Sequence, residues 1–419
     1  MAELSYKLTY QLKQQTPMLH FQYEQSGATL RVTEVKPKLD RFLISKLGGG
    51  EYEAVKKKLK EYHTKWFIGD TFALNYKMQI NATGEKKVSE FKRFTEEASK
   101  EFDRNKRNQL KNKARSQING MYFGNQGDSE KYKETVFYRD PIDLSVSCFI
   151  PDLIEIINKH IAEFFAVTNF GTRQTKGFGG FSLLINGEEP INENNIIGFL
   201  KEHKYLFFYA NEKKDDPMQI AKAIYTSMKT GINMPNRGNS NRVKGYLLYE
   251  YLHDNGIGAG SDKTMMVEEL LPNGTPHRKN QYYFVRALLG LTDHYDFRFQ
   301  NGRGNYTVTV KDKGEDDKPV IERFPSPVTI KIIGQQVIFI FDENMFKKIC
   351  GKKFTFSANG KEKDIAVPES FNVKKFIEDY VEYHNLCDEG YVGDEYLPCH
   401  IKDITEFKNS YVKIEKGWD

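Results

Sequence analysis

Within its first 185 residues the chain switches repeatedly between two hydrophobic periods, and few architectures accept that order. Ser5-Tyr6-Lys7-Leu8-Thr9-Tyr10-Gln11-Leu12-Lys13 alternates polar and apolar residues, the period-two mark of a half-buried strand. From Thr33 the spacing becomes helical: Val35, Leu39, Phe42 and Leu43 share a face, Pro37 is acceptable only in a first turn, and Gly48-Gly49-Gly50 ends the element. Residues 51–63 read as a second, charged helix. Residues 72–80 alternate again, residues 88–118 form one long polar helical stretch, and residues 142–148 are a further strand. Pro151-Asp152 opens a helix to about residue 165, with Leu153, Ile156, Ile157, Ile161 and Phe164 inward. A glycine-rich loop at 168–180 then leads into a strand at 181–185.

The order β-α-β-(α)-β-α-loop-β is that of a ferredoxin-like βαββαβ unit with helical insertions. The second half repeats the alternation more loosely. A buried strand at 205–210 precedes a helix at 217–228, and residues 231–263, rich in Gly, Asn, Lys and Arg, read as a long exposed loop. A short helix at 281–291, strands at 305–311, 328–333 and 336–341, and an amphipathic helix at 371–384 follow. The expected fold class is α+β, with two ferredoxin-like (RRM-like) domains. The first spans residues 1–187, with a basic insertion at about 84–120, and the second spans 188–419.

Charge narrows the range of partners. The net charge is only +5, yet residues 1–120 hold 24 Lys and Arg against 14 Asp and Glu. A basic N-terminal third in a chain that is 13% aromatic favours a polyanion, of which nucleic acid is the usual one; a solvated Lys-rich surface is the competing reading. No apolar run nears the roughly 18 residues of a spanning helix, and the alternating start lacks a signal-peptide core. Four cysteines (Cys148, Cys350, Cys387, Cys399) are too few for a disulfide framework, so a cytoplasmic chain with no membrane partner is expected.

Two segments carry recognisable chemistry. In Thr168-Asn169-Phe170-Gly171-Thr172-Arg173-Gln174-Thr175-Lys176-Gly177-Phe178-Gly179-Gly180, four glycines would let backbone N–H groups approach a phosphate. Arg173 and Lys176 add charge, and Phe178 offers a ring for base stacking. The loop lacks a GxxxxGK[ST] pattern and precedes a strand instead of opening a helix, which excludes a nucleotide P-loop and a dinucleotide fingerprint. A tight structural loop remains the alternative. In Leu30-Arg31-Val32-Thr33-Glu34-Val35-Lys36-Pro37-Lys38-Leu39-Asp40-Arg41, a helix start gathers Arg31, Lys36, Lys38 and Arg41 where a phosphate chain would meet N-terminal amides, or simply marks an ordinary exposed helix start. The run 104–115 carries six basic residues and no acid, and reads either as a phosphate track or as a solvated face.

Together these motifs resemble the RAMP superfamily of CRISPR effector complexes, whose hallmark is a glycine-rich loop ending in Gly-Phe-Gly before a strand, here Gly177-Phe178-Gly179. Thr16-Pro17-Met18, then Leu30-Arg31, Lys36, Leu39 and Arg41 in order, look most like the Cmr-type (type III-B) RAMP that caps the guide RNA's 3′ end. Tyr122-Phe123-Gly124 and Arg323-Phe324-Pro325-Ser326-Pro327 add to the likeness. Departures are the missing glycine pair before Gly171, Pro37 where glycine is common, and an absent Trp-rich run. The resemblance implies a non-catalytic, RNA-binding subunit without cofactors, whose partners are guide and target RNA and other effector subunits. Arg31, Lys36, Lys38, Arg41, Gly171, Arg173, Lys176, Gly177, Phe178 and Gly179 are its expected RNA contacts.

Two other constellations point elsewhere. His20, with Tyr23 and Lys36 near it in sequence, has the residue types of metal-independent RNA cleavage, a base for the 2′-OH and an acid for the leaving oxygen. This makes a guide-processing endoribonuclease the runner-up, and a scaffold facing an acidic partner subunit the third reading. His384, Cys387, Cys399 and His400 have ligand chemistry, but the adjacent Cys399-His400 suits a tetrahedral zinc site poorly, and a packing role is favoured. No metal site is expected.

Overall fold

A computed structural model describes residues 6–19, 30–88, 90–116, 135–211, 216–229, 232–233, 242–243, 246, 260–272, 282–291, 294–298, 305–312, 326–386 and 413–418. It is a mixed helix-and-sheet chain that divides into two compact units. The first holds residues 1–121, 127–204 and 329–338, and the second holds 122–126, 205–328 and 339–419.

The first unit is built on the strands β1 (Lys7–Gln14), β3 (Lys77–Asn81), β6 (Ile142–Ser147) and β7 (Phe181–Leu184), ordered β3-β6-β1-β7 with every neighbour antiparallel. Helices α1 (Val32–Gly48) and α2 (Tyr52–Tyr62) lie between β1 and β3, and α5 (Pro151–Val167) connects β6 to β7. Each crossover skips one strand. Leu8, Tyr10 and Leu12 of β1 turn toward the helices, while Thr9, Gln11 and Lys13 are exposed. The facing stripes are Val35, Leu39, Leu43 and Ile44 of α1 and Leu153, Ile157, Ile161 and Phe164 of α5, all buried. Gly49, at φ 65°, caps α1, its neighbour Gly50 donating to the Ser45 carbonyl at 3.1 Å. Pro37 lies in the second turn, not the first, where it cannot donate to the Thr33 carbonyl.

A smaller sheet sets β5 (Thr135–Tyr138) between β2 (Met18–Leu19) and β4 (Lys86–Val88). Between β4 and β5 the chain forms α3 (Phe91–Lys100) and α4 (Arg104–Ser116). The single helix expected at 88–118 is therefore two, because the Asp103 carboxylate accepts from the Asn105 and Lys106 amides at 2.8 and 2.9 Å and starts a new helix. The strand expected at 72–80 begins only at Lys77. Residues 68–75 instead close a turn, with Asn75 N–H donating to the Trp66 carbonyl at 2.7 Å, and their alternation reflects burial of Leu74 and Tyr76.

In the second unit, strands His294–Arg298, Asn305–Asp312, Lys353–Ala358 and Lys361–Ala366 pair antiparallel in the order 294-305-353-361. Strand β8 (Leu206–Asn211) pairs antiparallel with Ile414–Lys416, and Phe208 stacks on Phe339 at 4.6 Å. The helix expected at 281–291 is replaced by Tyr282–Tyr283, paired parallel beside Ala366, and a 3-10 turn at Val285–Leu289. Of the loop at 231–263 the described residues include two-residue strands at Ile232–Asn233 and Arg242–Val243, and Tyr246 is buried against Phe376 and Tyr380.

Candidate nucleic-acid interface

The glycine-rich loop is shaped by backbone pairing with the end of the first strand. Gln15 N–H donates to the Gly180 carbonyl at 2.8 Å, Gly179 N–H to Pro17 O at 2.9 Å, and Thr172 N–H to Leu19 O at 2.7 Å. The Thr16 hydroxyl accepts from Gly180 N–H at 2.8 Å. Phe170 N–H reaches the Gly179 carbonyl at 2.9 Å and closes the loop on itself. At this spacing side chains have no room. A Cβ on Gly171 (φ 83°) would stand 2.3 Å from Leu19 O, and one on Gly179 (φ 68°) 1.8 Å from Phe170 O.

The two segments singled out by sequence meet. Glu34, in the first turn of α1, accepts from Gly171 N–H at 2.6 Å and from the Lys38 ammonium at 2.8 Å. Lys38 also donates to Asn169 O at 3.1 Å and to the Gln174 amide oxygen, and lies 4.8 Å over the Phe170 ring. Burial lowers its pKa, against the pull of Glu34. The Asn169 amide donates to Gln174 O at 2.7 Å and to Ile330 O at 2.8 Å.

Lys36 and Lys38, both half-buried, are therefore tied to partners within the protein. Lys36 pairs with the buried Asp40 at 2.8 Å, donates to Leu74 O at 2.9 Å and lies 4.2 Å over Tyr76. Burial raises the Asp40 pKa more than Lys36 lowers it. Phe178 is 1% exposed, so its ring packs in the interior and is not presented for base stacking. Arg31, Arg173 and Lys176 are half-buried, and Arg41 is exposed with its guanidinium 4.9 Å over Tyr52. Arg173 takes the left-handed backbone region at φ 59°. Burial brings its guanidinium down to about 10, which leaves it cationic at neutral pH. Along α4, Arg104, Lys106, Lys111 and Lys113 are exposed.

Sequence reasoning overlooked Lys331. Its side chain is fully buried, and its ammonium donates to the carbonyls of Phe165 at 2.7 Å, Thr168 at 3.0 Å and Phe181 at 3.2 Å. It thereby pins the C-terminus of α5, the start of the loop and the start of β7. The available signal was a lone lysine within the apolar run Val328-Thr329-Ile330-Lys331-Ile332-Ile333.

His20, Tyr23, Cys387, Cys399, His400, Tyr122-Phe123-Gly124 and Arg323-Phe324-Pro325 lie outside the described residues. His384 is buried beside Tyr380. Among the described residues no three His, Cys, Asp or Glu gather as a metal cluster, and no helix is long and apolar enough to cross a membrane.

The glycine-rich loop ending in Gly177-Phe178-Gly179 is thus locked to the first helix beside a four-stranded sheet ordered β3-β6-β1-β7. Two family models then match nearly end to end: Cmr1 N-terminal domain over residues 5–232 and Cmr1 C-terminal domain over residues 243–390. The chain belongs to the Cmr1 family, and so to the subunits of type III-B CRISPR effectors. The crystal structure of Cmr1 from Pyrococcus furiosus in its apo form is similar over 81% of this chain and 88% of that one, at 10% identity and a TM-score of 0.39. No curated protein matches the chain.

Proposed function

We propose that this chain is a non-catalytic RNA-holding subunit of a type III-B effector, working in the cytoplasm in antiviral defence beside other effector subunits. It binds guide and target RNA at the joined surface of the α1 start and the glycine-rich loop. The observation that carries this reading is the Glu34–Lys38 lock, which draws two distant basic segments into one backbone-rich surface. Arg173, Lys176, Arg31 and Arg41 meet phosphates, and Gly171, Gly177 and Gly179, all buried, let the loop fold tightly enough to present them. Lys36 and Lys38 hold that surface from within. The order of the split sheet supports reading the first domain as ferredoxin-like, with residues 188–204 and 329–338 joining the 1–187 read from sequence; a second such domain is proposed for the rest of 188–419.

The test is a native gel paired with a denaturing gel, in EDTA at two salt concentrations, with labelled repeat-containing RNA and the matching DNA. Salt-sensitive retention of intact RNA is expected. Arg173→Ala with Lys176→Ala should weaken it about tenfold and lower the salt slope by roughly one to two. A discrete RNA product that disappears with His20→Ala would overturn the reading and make the chain a processing nuclease.

A further inference from the structure

The outer face of the first sheet carries none of the residues assigned to RNA above, and it has a chemistry of its own. Register sets three rows across it: Lys77, Ser147 and Lys7; then Gln79, Ser145 and Thr9; then Asn81, Asp143, Gln11 and Leu184. The second and third rows, with the turn Asn186-Gly187, line an open groove of about 460 Å³. That turn is a tight hairpin in which Asn186 and Gly187 take φ 52° and 84°, closed by reciprocal Ile185–Glu188 bonds at 2.9 and 3.0 Å. It fixes the Asn186 position at the groove wall.

The groove's lining excludes some ligands and fits others. Gln11, Gln79, Asn81 and Asn186 bring four carboxamides, each able to donate and accept, and no Lys or Arg lines it. Its one charged group is the exposed Asp143 carboxylate, 3.3 Å from the Gln11 amide. A phosphate would meet that carboxylate with no cation to offset it. A neutral ring with a polar edge is matched by the amides, beside Leu184 in the same row. One row beyond, Lys7 and Lys77 flank Ser147. At that same end Tyr6 and Phe149, the latter 84% exposed, hold their rings 5.8 Å apart. Amides for base edges, lysines for phosphates and open aromatic rings for stacking are the elements of single-strand recognition.

We infer that this face is a second RNA surface that reads unpaired bases, preferring amino-bearing bases to uracil. Asp143 accepts from an exocyclic amino group, whereas uracil turns two carbonyl oxygens toward the carboxylate, flanking its single N–H. The inference rests on the RNA-binding function proposed above, and the experiment separates the two.

Fluorescence anisotropy of the full chain with labelled oligo(C) and oligo(U) of equal length should show about a tenfold preference for oligo(C). Asp143→Asn should bring that ratio near one, and Gln79→Ala with Asn81→Ala should weaken both RNAs with the salt slope unchanged. Thermal melts confirm that these surface variants remain folded. Equal wild-type affinities, or unaltered binding by these variants while Arg173→Ala with Lys176→Ala still weakens it, would overturn the sheet-face inference and leave the proposed function standing. Absence of any binding to either RNA would remove both.

Discussion

Replacing Lys331 with methionine is expected to destabilise the chain by about 2–4 kcal/mol. Methionine matches the length but offers no donor, so the Phe165, Thr168 and Phe181 carbonyls lose their shared ammonium. Relief of the buried charge offsets part of that loss. The pH dependence identifies the cause. Burial brings the Lys331 pKa down from 10.5 to about 7, so between these values the unfolded chain binds the proton more fully than the folded one. This group's contribution to stability therefore rises with pH over that window. The wild type should exceed Lys331→Met by a wider margin in melting temperature at pH 9.5 than at pH 7. A variant as stable as the wild type would refute the role given to Lys331, and a margin that shrinks as pH rises would refute the lowering of its pKa by burial.

Gly179→Ala should cost roughly 2–5 kcal/mol and weaken RNA binding with it. Two costs combine at this position. The backbone lies at φ 68°, and the new Cβ would sit 1.8 Å from the Phe170 carbonyl oxygen, a main-chain atom that no rotamer change can move aside. Relief requires parting the Phe170–Gly179 and Gly179–Pro17 hydrogen bonds. Gly360→Ala is the control, because it shares a positive φ of 73° but has nothing within 4 Å of its Cβ. It should cost only about 1 kcal/mol. Equal losses in urea unfolding for the two variants would show that backbone conformation alone, and not crowding, decides the effect.

The first unit was legible in the sequence because its strands and helices have one buried face each, and period reports that directly. The α1 stripe at Val35, Leu39 and Leu43 and the β1 alternation both appear in the fold. Period failed where burial and hydrogen bonding part company. Residues 72–76 alternate but form no ladder, and residues 281–291 gave up a helical pattern when Tyr283 paired beside Ala366. For the candidate interface, residue type located the two segments but could not assign duties within them. Phe178 looked like a stacking ring and is core, and Lys36 and Lys38 looked like phosphate contacts and are tied to Asp40 and Glu34. An acid one turn from a lysine is a common helix pair, so nothing local marked Glu34 as the partner of Gly171.

The binding of Asn169 and Lys331 across the chain has a consequence for biogenesis. The loop ends at residue 180, yet its Asn169 amide rests on the Ile330 carbonyl and its base on the Lys331 ammonium, in a segment that belongs to the same compact unit. A ribosome must add about 150 further residues, a delay on the order of ten to thirty seconds, before that segment exists. Until then the nascent N-terminal portion can pair the loop with residues 15–19 but lacks its anchors on Ile330 and Lys331, so the fully held form of the loop arrives only after that segment is made.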